Sequence, residues 1–230
     1  MQNCNRCIST RRACLHIVQL RYYWHMAEGL RERKKQRTRE QIIDAAMGLF
    51  AERGYHATTI ADIAEAADVA PRTFFSYFPS KEAVVFHNVD RELDEMATAL
   101  GERLPGETAF DALRRWIETM FDKWSGQEDE ALLRKRLCRE DEGLANFQGG
   151  VLARMHELLL GAIADDLGEP PDALRPQLVA AAAVAALTSL DTTLNEKIHQ
   201  RAGLAKEEAL AVLDEAILFL RGGIDALQDR

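Results

Sequence analysis

The chemistry legible in this chain is concentrated in a short segment after Pro71. At about 100° per residue of helix, Arg72, Thr73 and Ser76 fall on one side and Phe74 and Phe78 on the other. The aromatic side suits packing. The opposite side offers a guanidinium and two hydroxyls, groups that reach base edges and phosphates in a major groove. Other constellations carry less. Cys4, Cys7, Cys14 and His16 could hold zinc, but no second ligand pair has finger spacing. Cys4 and Cys7 form a CxxC without the strand and helix of a redox motif. There is no glycine-rich phosphate loop, no GxSxG and no HExxH. Asp165 and Asp166 lie together in a charged, helix-ending context that suits solvated carboxylates. No catalytic residue, metal or cofactor is expected, and His87 and His156 lack a ligand partner at helical spacing.

The elements around that segment follow from periodicity and caps. Ile43, Ala46 and Phe50, widened by Ile42 and Leu49, predict a first helix from about Thr38 to Arg53, ended by Gly54. Thr59 and Asp62 form a capping box that opens a second helix. Its apolar face is Ile60, Ile63, Ala64 and Ala67. Asp68 suits the turn, because aspartate tolerates the left-handed backbone. Pro71 suits the first position of a third helix, which ends near Pro79. Two short helices joined by a tight turn make a helix-turn-helix. A three-helix packing unit with no nucleic-acid role would give the same turn.

Charge is unevenly spread. Residues 1–39 hold ten Arg or Lys against two Glu, a local +8 in a chain of net charge -8. The segment from Glu82 to Arg230 has 16 basic and 29 acidic residues. A basic end on an acidic body is expected when one part touches phosphate and the rest is repelled by it, although a solvated basic tail has the same composition.

The run LFAERGYHATTIADIAEAADVAPRTFFSYFPSKEAVV resembles the DNA-binding signature of TetR-family regulators. The resemblance rests on the aromatic before Arg53–Gly54–Tyr55, the Thr58–Thr59 cap, Ile63–Ala64, Ala67, Val69 and YFPSKE over Tyr77 to Glu82. It covers about 45 residues, and the departures are specific. Asp68 stands for the usual turn glycine, and Ala70 for a serine or threonine. Arg72 replaces a small residue, and Phe75 a tyrosine. The resemblance implies DNA contact by Arg72, Thr73, Ser76 and Tyr77, and phosphate contact by Lys81 and Thr59. Phe75 either meets a thymine methyl or sugar or belongs to the core. The run Arg31, Arg33, Lys34, Lys35, Arg37 and Arg39, with Thr38, implies a basic arm preceding the first helix.

The expected fold is all-α, about nine helices in all. Residues 1–25 read as a leader of poor pattern, with translation starting at Met26. Residues 26–81 form the helix-turn-helix domain, and 82–230 a helical ligand-binding and dimerisation domain. Helices are expected from Lys81 to about Leu104, Ala109 to Trp124, Glu128 to about Glu140, Leu144 to Leu167, Pro176 to Lys197 and Lys206 to Leu227. Sparse glycine and proline, 14 and 6 residues, agree with this. The resemblance implies a small-molecule pocket, for which Phe86, Trp116, Met120, Phe121, Trp124, Phe147, Met155 and Leu159 are candidates. Any of them also reads as ordinary core. It further implies a homodimer built on the last two helices, with Leu187, Leu190, Leu213, Ile217, Leu220 and Ile224 as candidates. A second stripe runs through Val212, Ala216, Phe219 and Gly223. A two-fold dimer would set recognition helices about 34–36 Å apart or a multiple of it. The implied partners are an operator in double-stranded DNA, an apolar or amphipathic effector, and a second copy of the chain. The apolar run Leu178 to Leu187 is far shorter than the ~20 residues that span a bilayer, and a cytoplasmic setting is expected.

Overall fold

The computed structural model describes residues 31–124, 126–200 and 206–228, with side chains except at 191–200 and 223–228. The leader, Met26, the N-terminal cysteines with His16, and the Ile224 side chain lie outside the described residues. Within them the chain forms ten helices and no strand. It divides into two compact units, one ending at Val84 and the other beginning at Val85.

The first unit holds four helices. Helix α1 spans 31–53 and includes the basic run expected to precede it. Arginine, lysine, glutamine and glutamate are strong helix formers. Their spacing adds a Glu32–Lys35 ion pair at 4.0 Å and a Gln36 amide donating to Glu40 at 2.8 Å. Thr38 is therefore interior to α1. Gly54, at φ +84°, ends the helix. Helix α2 is Ile60–Ala66 and α3 is Pro71–Phe74, with a turn at 75–77 in place of the longer third helix expected. The core of this unit is Ile42, Ala46, Phe50, Ile63, Ala64 and Phe74, all fully buried.

The single helix expected from Lys81 is two helices, α4 (Glu82–Val85) and α5 (Val89–Gly101). The reason lies in burial. Val84, Val85 and Phe86 are all buried in succession, and three consecutive helical residues spread over about 200° and cannot share one inward face. The chain turns at 86–88 instead, where His87 Nδ1 lies 3.7 Å from Glu130.

The second unit continues with α6 (Ala109–Trp124), α7 (Glu128–Glu140), α8 (Glu142–Leu167), α9 (Leu174–Gln200) and α10 (Lys206–Gln228). Thr108 and Asp111 form a second capping box, with backbone N–H bonds of 3.0 and 3.2 Å. Asp141 caps α8 by accepting from the Leu144 N–H at 2.7 Å. Helix α8 passes Gly149–Gly150 unbroken, and Gly168 at φ +65° ends it. Pro176 falls in the first turn of α9, where no N–H is needed. The core gathers Met96, Phe110, Leu113, Leu159, Ile163 and Ala180 with the inner residues of α10. Along α6 and α10, Arg221 pairs with Asp111, Arg114 with Asp214, and Lys206 with Asp122. The opposed order of the partners makes the two helices antiparallel. Among the described residues no helix is long and apolar enough to cross a membrane, and no group of three or more His, Cys, Asp or Glu could hold a metal.

Candidate nucleic-acid interface

Helix α3 is positioned from both ends. At its N-terminal side, the Thr59 hydroxyl accepts from the Asp62 N–H at 3.1 Å, and the Asp62 carboxylate accepts from the Thr59 N–H at 2.8 Å. The side-chain bond from Thr59, then the backbone bond, hold the Asp62 carboxyl below its ordinary value. The cap is therefore fully present above the ordinary carboxylate pKa and is lost as pH falls through the lowered one. Helix α2 closes on Asp68 at φ +53°, the left-handed residue read from the sequence. The Val69 N–H reaches Ala64 O at 2.9 Å and the Asp68 N–H reaches Glu65 O at 3.1 Å. That pair is a Schellman closure, made here without glycine. Ala70 supplies no side-chain cap to α3, and Pro71 sits at its first position.

The far side of α3 is fixed by Phe74 and Phe78, both buried, with ring centroids 5.9 Å apart. The guanidinium of Arg39 lies 5.0 Å from the Phe78 ring centre, so one cation of the expected arm packs on the unit itself. With that side inward, Arg72 and Ser76 are exposed, and Thr73 and Tyr77 are half-buried. Phe75 is 56% exposed, which removes it from the core. Arg31, Arg33, Lys34, Lys35 and Arg37 are exposed on α1.

Lys81 has a structural task that the sequence does not reveal. Its ammonium donates to Tyr55 O at 2.7 Å and Thr58 O at 2.9 Å, and lies 3.9 Å from the centre of the Tyr55 ring. Beside it, the Tyr55 hydroxyl donates to Glu82 at 2.8 Å. Burial opposes ionisation of Glu82, but bonds from Ser80 and Tyr55 and the nearby Lys81 charge outweigh it and lower its pKa. Thr58, 1% exposed, donates to Gly54 O at 2.9 Å. The loop between α1 and α2 is thus held by residues far along the chain. Lys81→Met is expected to lower unfolding stability by about 1.5–3 kcal/mol, the worth of hydrogen bonds to a charged group. Urea denaturation checks this, and an unshifted midpoint would count against the clamp.

Four of the candidate pocket residues meet as two ring pairs. Phe86 and Phe147 stack at 4.7 Å, with Phe147 39% exposed. Trp116 and Trp124 meet edge to face at 5.9 Å, and the Trp124 indole N–H donates to Glu92 at 3.0 Å. Leu159 and Met120 are buried, while Met155 and Phe121 are half-buried. A groove of about 650 Å³ lies elsewhere, lined by Leu178, Val179, Ala182, Glu215, Leu218 and Phe219 among others.

That groove also alters the account of α10. Leu213, Ile217 and Leu220 point into the chain's own core, and Leu187 and Leu190 pack partly against it. The outward residues are Leu218 and Phe219, 72% and 77% exposed, which line the groove together with Leu178 of α9. Phe219 belonged to the second stripe in the sequence, whereas Leu218 gave no periodic signal.

Comparison with known proteins places these features. A family model for bacterial regulatory proteins of the tetR family matches residues 42–87. The HTH-type transcriptional regulator TcmR of Streptomyces glaucescens is 45% identical over 85 residues, 37% of this chain and 38% of that protein. The aligned part thus spans less than half of that relative. The fatty acid degradation regulator FadR of Bacillus halodurans superposes with a TM-score of 0.58 at 24% identity, over 80% of this chain and 98% of that one. FadR of Bacillus subtilis, solved in complex with stearoyl-CoA, gives 0.56 at 23% identity over 79% and 96%. At these identities the structures show a shared fold.

Proposed function

We infer, from a chain that belongs to the tetR family of bacterial regulatory proteins, that this protein is a sequence-specific DNA-binding transcriptional regulator acting in the cytoplasm. It works without catalysis, as a homodimeric repressor released from a palindromic operator by a small apolar or amphipathic ligand. The observation that carries the reading is the outward face of α3. Arg72, Phe75 and Ser76 stand in solvent while Phe74 and Phe78 anchor the opposite side. Arg37 and the other exposed cations of α1 supply charge for phosphate. Thr73 and Tyr77, half-buried, add hydroxyls to that surface, while Thr59 and Lys81 contribute by holding the α2 cap and the loop before it.

The dimer is drawn from α9 and α10, whose exposed Leu178, Leu218 and Phe219 form an apolar strip on an otherwise charged chain. The ligand belongs in the second unit, where the aromatic pairs Phe86–Phe147 and Trp116–Trp124 and the flexible Met120 and Met155 can part around an apolar chain. An acyl-thioester is the chemistry we favour, since a neighbour of the same fold holds stearoyl-CoA. Such a ligand acts by binding one arrangement of the dimer better than the other, which shifts the population away from the DNA-competent one.

Selection of bound fragments from random double-stranded DNA tests the reading. Recovery of a palindromic site, bound less tightly as salt rises, is expected. Absence of DNA binding at low salt by the ligand-free protein sinks it. A reporter driven from the recovered site separates repressor from activator. Within that assay, Arg72→Ala is expected to reduce discrimination by roughly 1–3 kcal/mol, the worth of one good base contact. An unchanged ratio of operator to random affinity would remove Arg72 from the reading face.

A further inference from the structure

We propose that Phe75 reads the 5-methyl group of a thymine, so that one position of the operator is chosen by an apolar contact and not by a hydrogen bond. The proposal rests on the DNA-binding reading above. Residues 72, 75 and 76 share one face by the i, i+3, i+4 rule. The backbone supports that geometry through position 75, at φ -66° and ψ -12°. Phe75 therefore stands beside Arg72 and Ser76 on the exposed side. Its ring is also held in place. Phe74, with no exposed surface, meets it edge to face, 5.5 Å between centroids and 84° between planes. A phenyl ring so propped and 56% exposed is a preorganised apolar surface with few rotamers left to lose.

In the major groove, thymine alone among the four bases presents a methyl group, and phenylalanine is a side chain that contacts it. Phe75 has no hydroxyl or amide with which to read anything else. A sugar contact would use the same ring but would carry no base preference.

The test uses the full-length protein and a double-stranded oligonucleotide recovered by the selection. Each thymine of one half-site is replaced singly by deoxyuridine, which removes only the methyl. For the unaltered protein, one replacement is expected to weaken binding about four-fold, the effect of withdrawing one buried methyl-sized group. For Phe75→Ala, the same replacement is expected to have no effect. The altered residue is exposed, so the fold is retained, and helical circular dichroism verifies this. Three results would overturn the proposal while leaving the regulator reading intact: no deoxyuridine-sensitive position, a sensitivity that persists in Phe75→Ala, or a uniform loss in Phe75→Ala that marks a sugar contact. Failure of the unaltered protein to bind any DNA would overturn both.

Discussion

Leu218→Asp combined with Phe219→Asp is expected to produce a monomer and to weaken operator binding by roughly 10²–10⁴-fold, the gain that comes from joining two readers. Both side chains are more than two-thirds exposed at the edge of the α9–α10 groove. Covering such a residue is worth about 1.5–3 kcal/mol, and a two-fold axis counts each one twice. Aspartate removes that gain and sets like charges against each other. Sedimentation and a DNA titration read the two effects together. A contrasting variant sharpens the result. Leu213→Asp places a charge in the chain's own core, so it should unfold the protein and not merely dissociate it. A double variant that stays dimeric would move the interface away from this strip.

Phe50→Ala should lower stability by about 3–5 kcal/mol, the range for truncating a buried phenyl ring. Phe50 has no exposed surface and packs 5.2 Å from the Tyr55 ring. It sits where α1 meets the loop clamped by Lys81, so the cavity would loosen both. A loss of this size is a large fraction of the roughly 5–15 kcal/mol by which folded proteins are stable. Thermal unfolding should therefore begin well below that of the unaltered protein, with operator binding lost over the same range. A melting temperature within a degree or two of the parent would show that the site collapses around the missing ring.

The parts of this fold that were legible in the sequence are those determined locally. Thr59 and Asp62 cap within one turn of each other, Asp68 and Pro71 set their own backbone angles, and Gly54 ends α1 by itself. What was illegible depends on distant partners. No glycine or proline marks the turn at 86–88, which arises from the successive burial of Val84, Val85 and Phe86. The task of Lys81 needs carbonyls at positions 55 and 58. In α10 both apolar stripes have helical period, and only the packing of α9 and α6 decides which faces inward. Helix α1 extends N-terminal of Thr38 because the apolar period read from the sequence begins only at Ile42, whereas the Arg, Lys, Gln and Glu residues before it are strong helix formers with no apolar stripe to show it.

The clamp at Lys81 also bears on how such proteins diversify. Lys81 and Glu82, just short of the division at Val84, fasten back onto residues 55 and 58 of the same unit. A chimera that exchanges everything up to Val84 would carry both halves of this fastening with it. A cut a few residues earlier would part them, leaving an ammonium and a phenol to meet foreign loops. Recombination is therefore expected to be tolerated best at a junction after α3 and its clamp, where the first unit is passed on with its own loop still fastened.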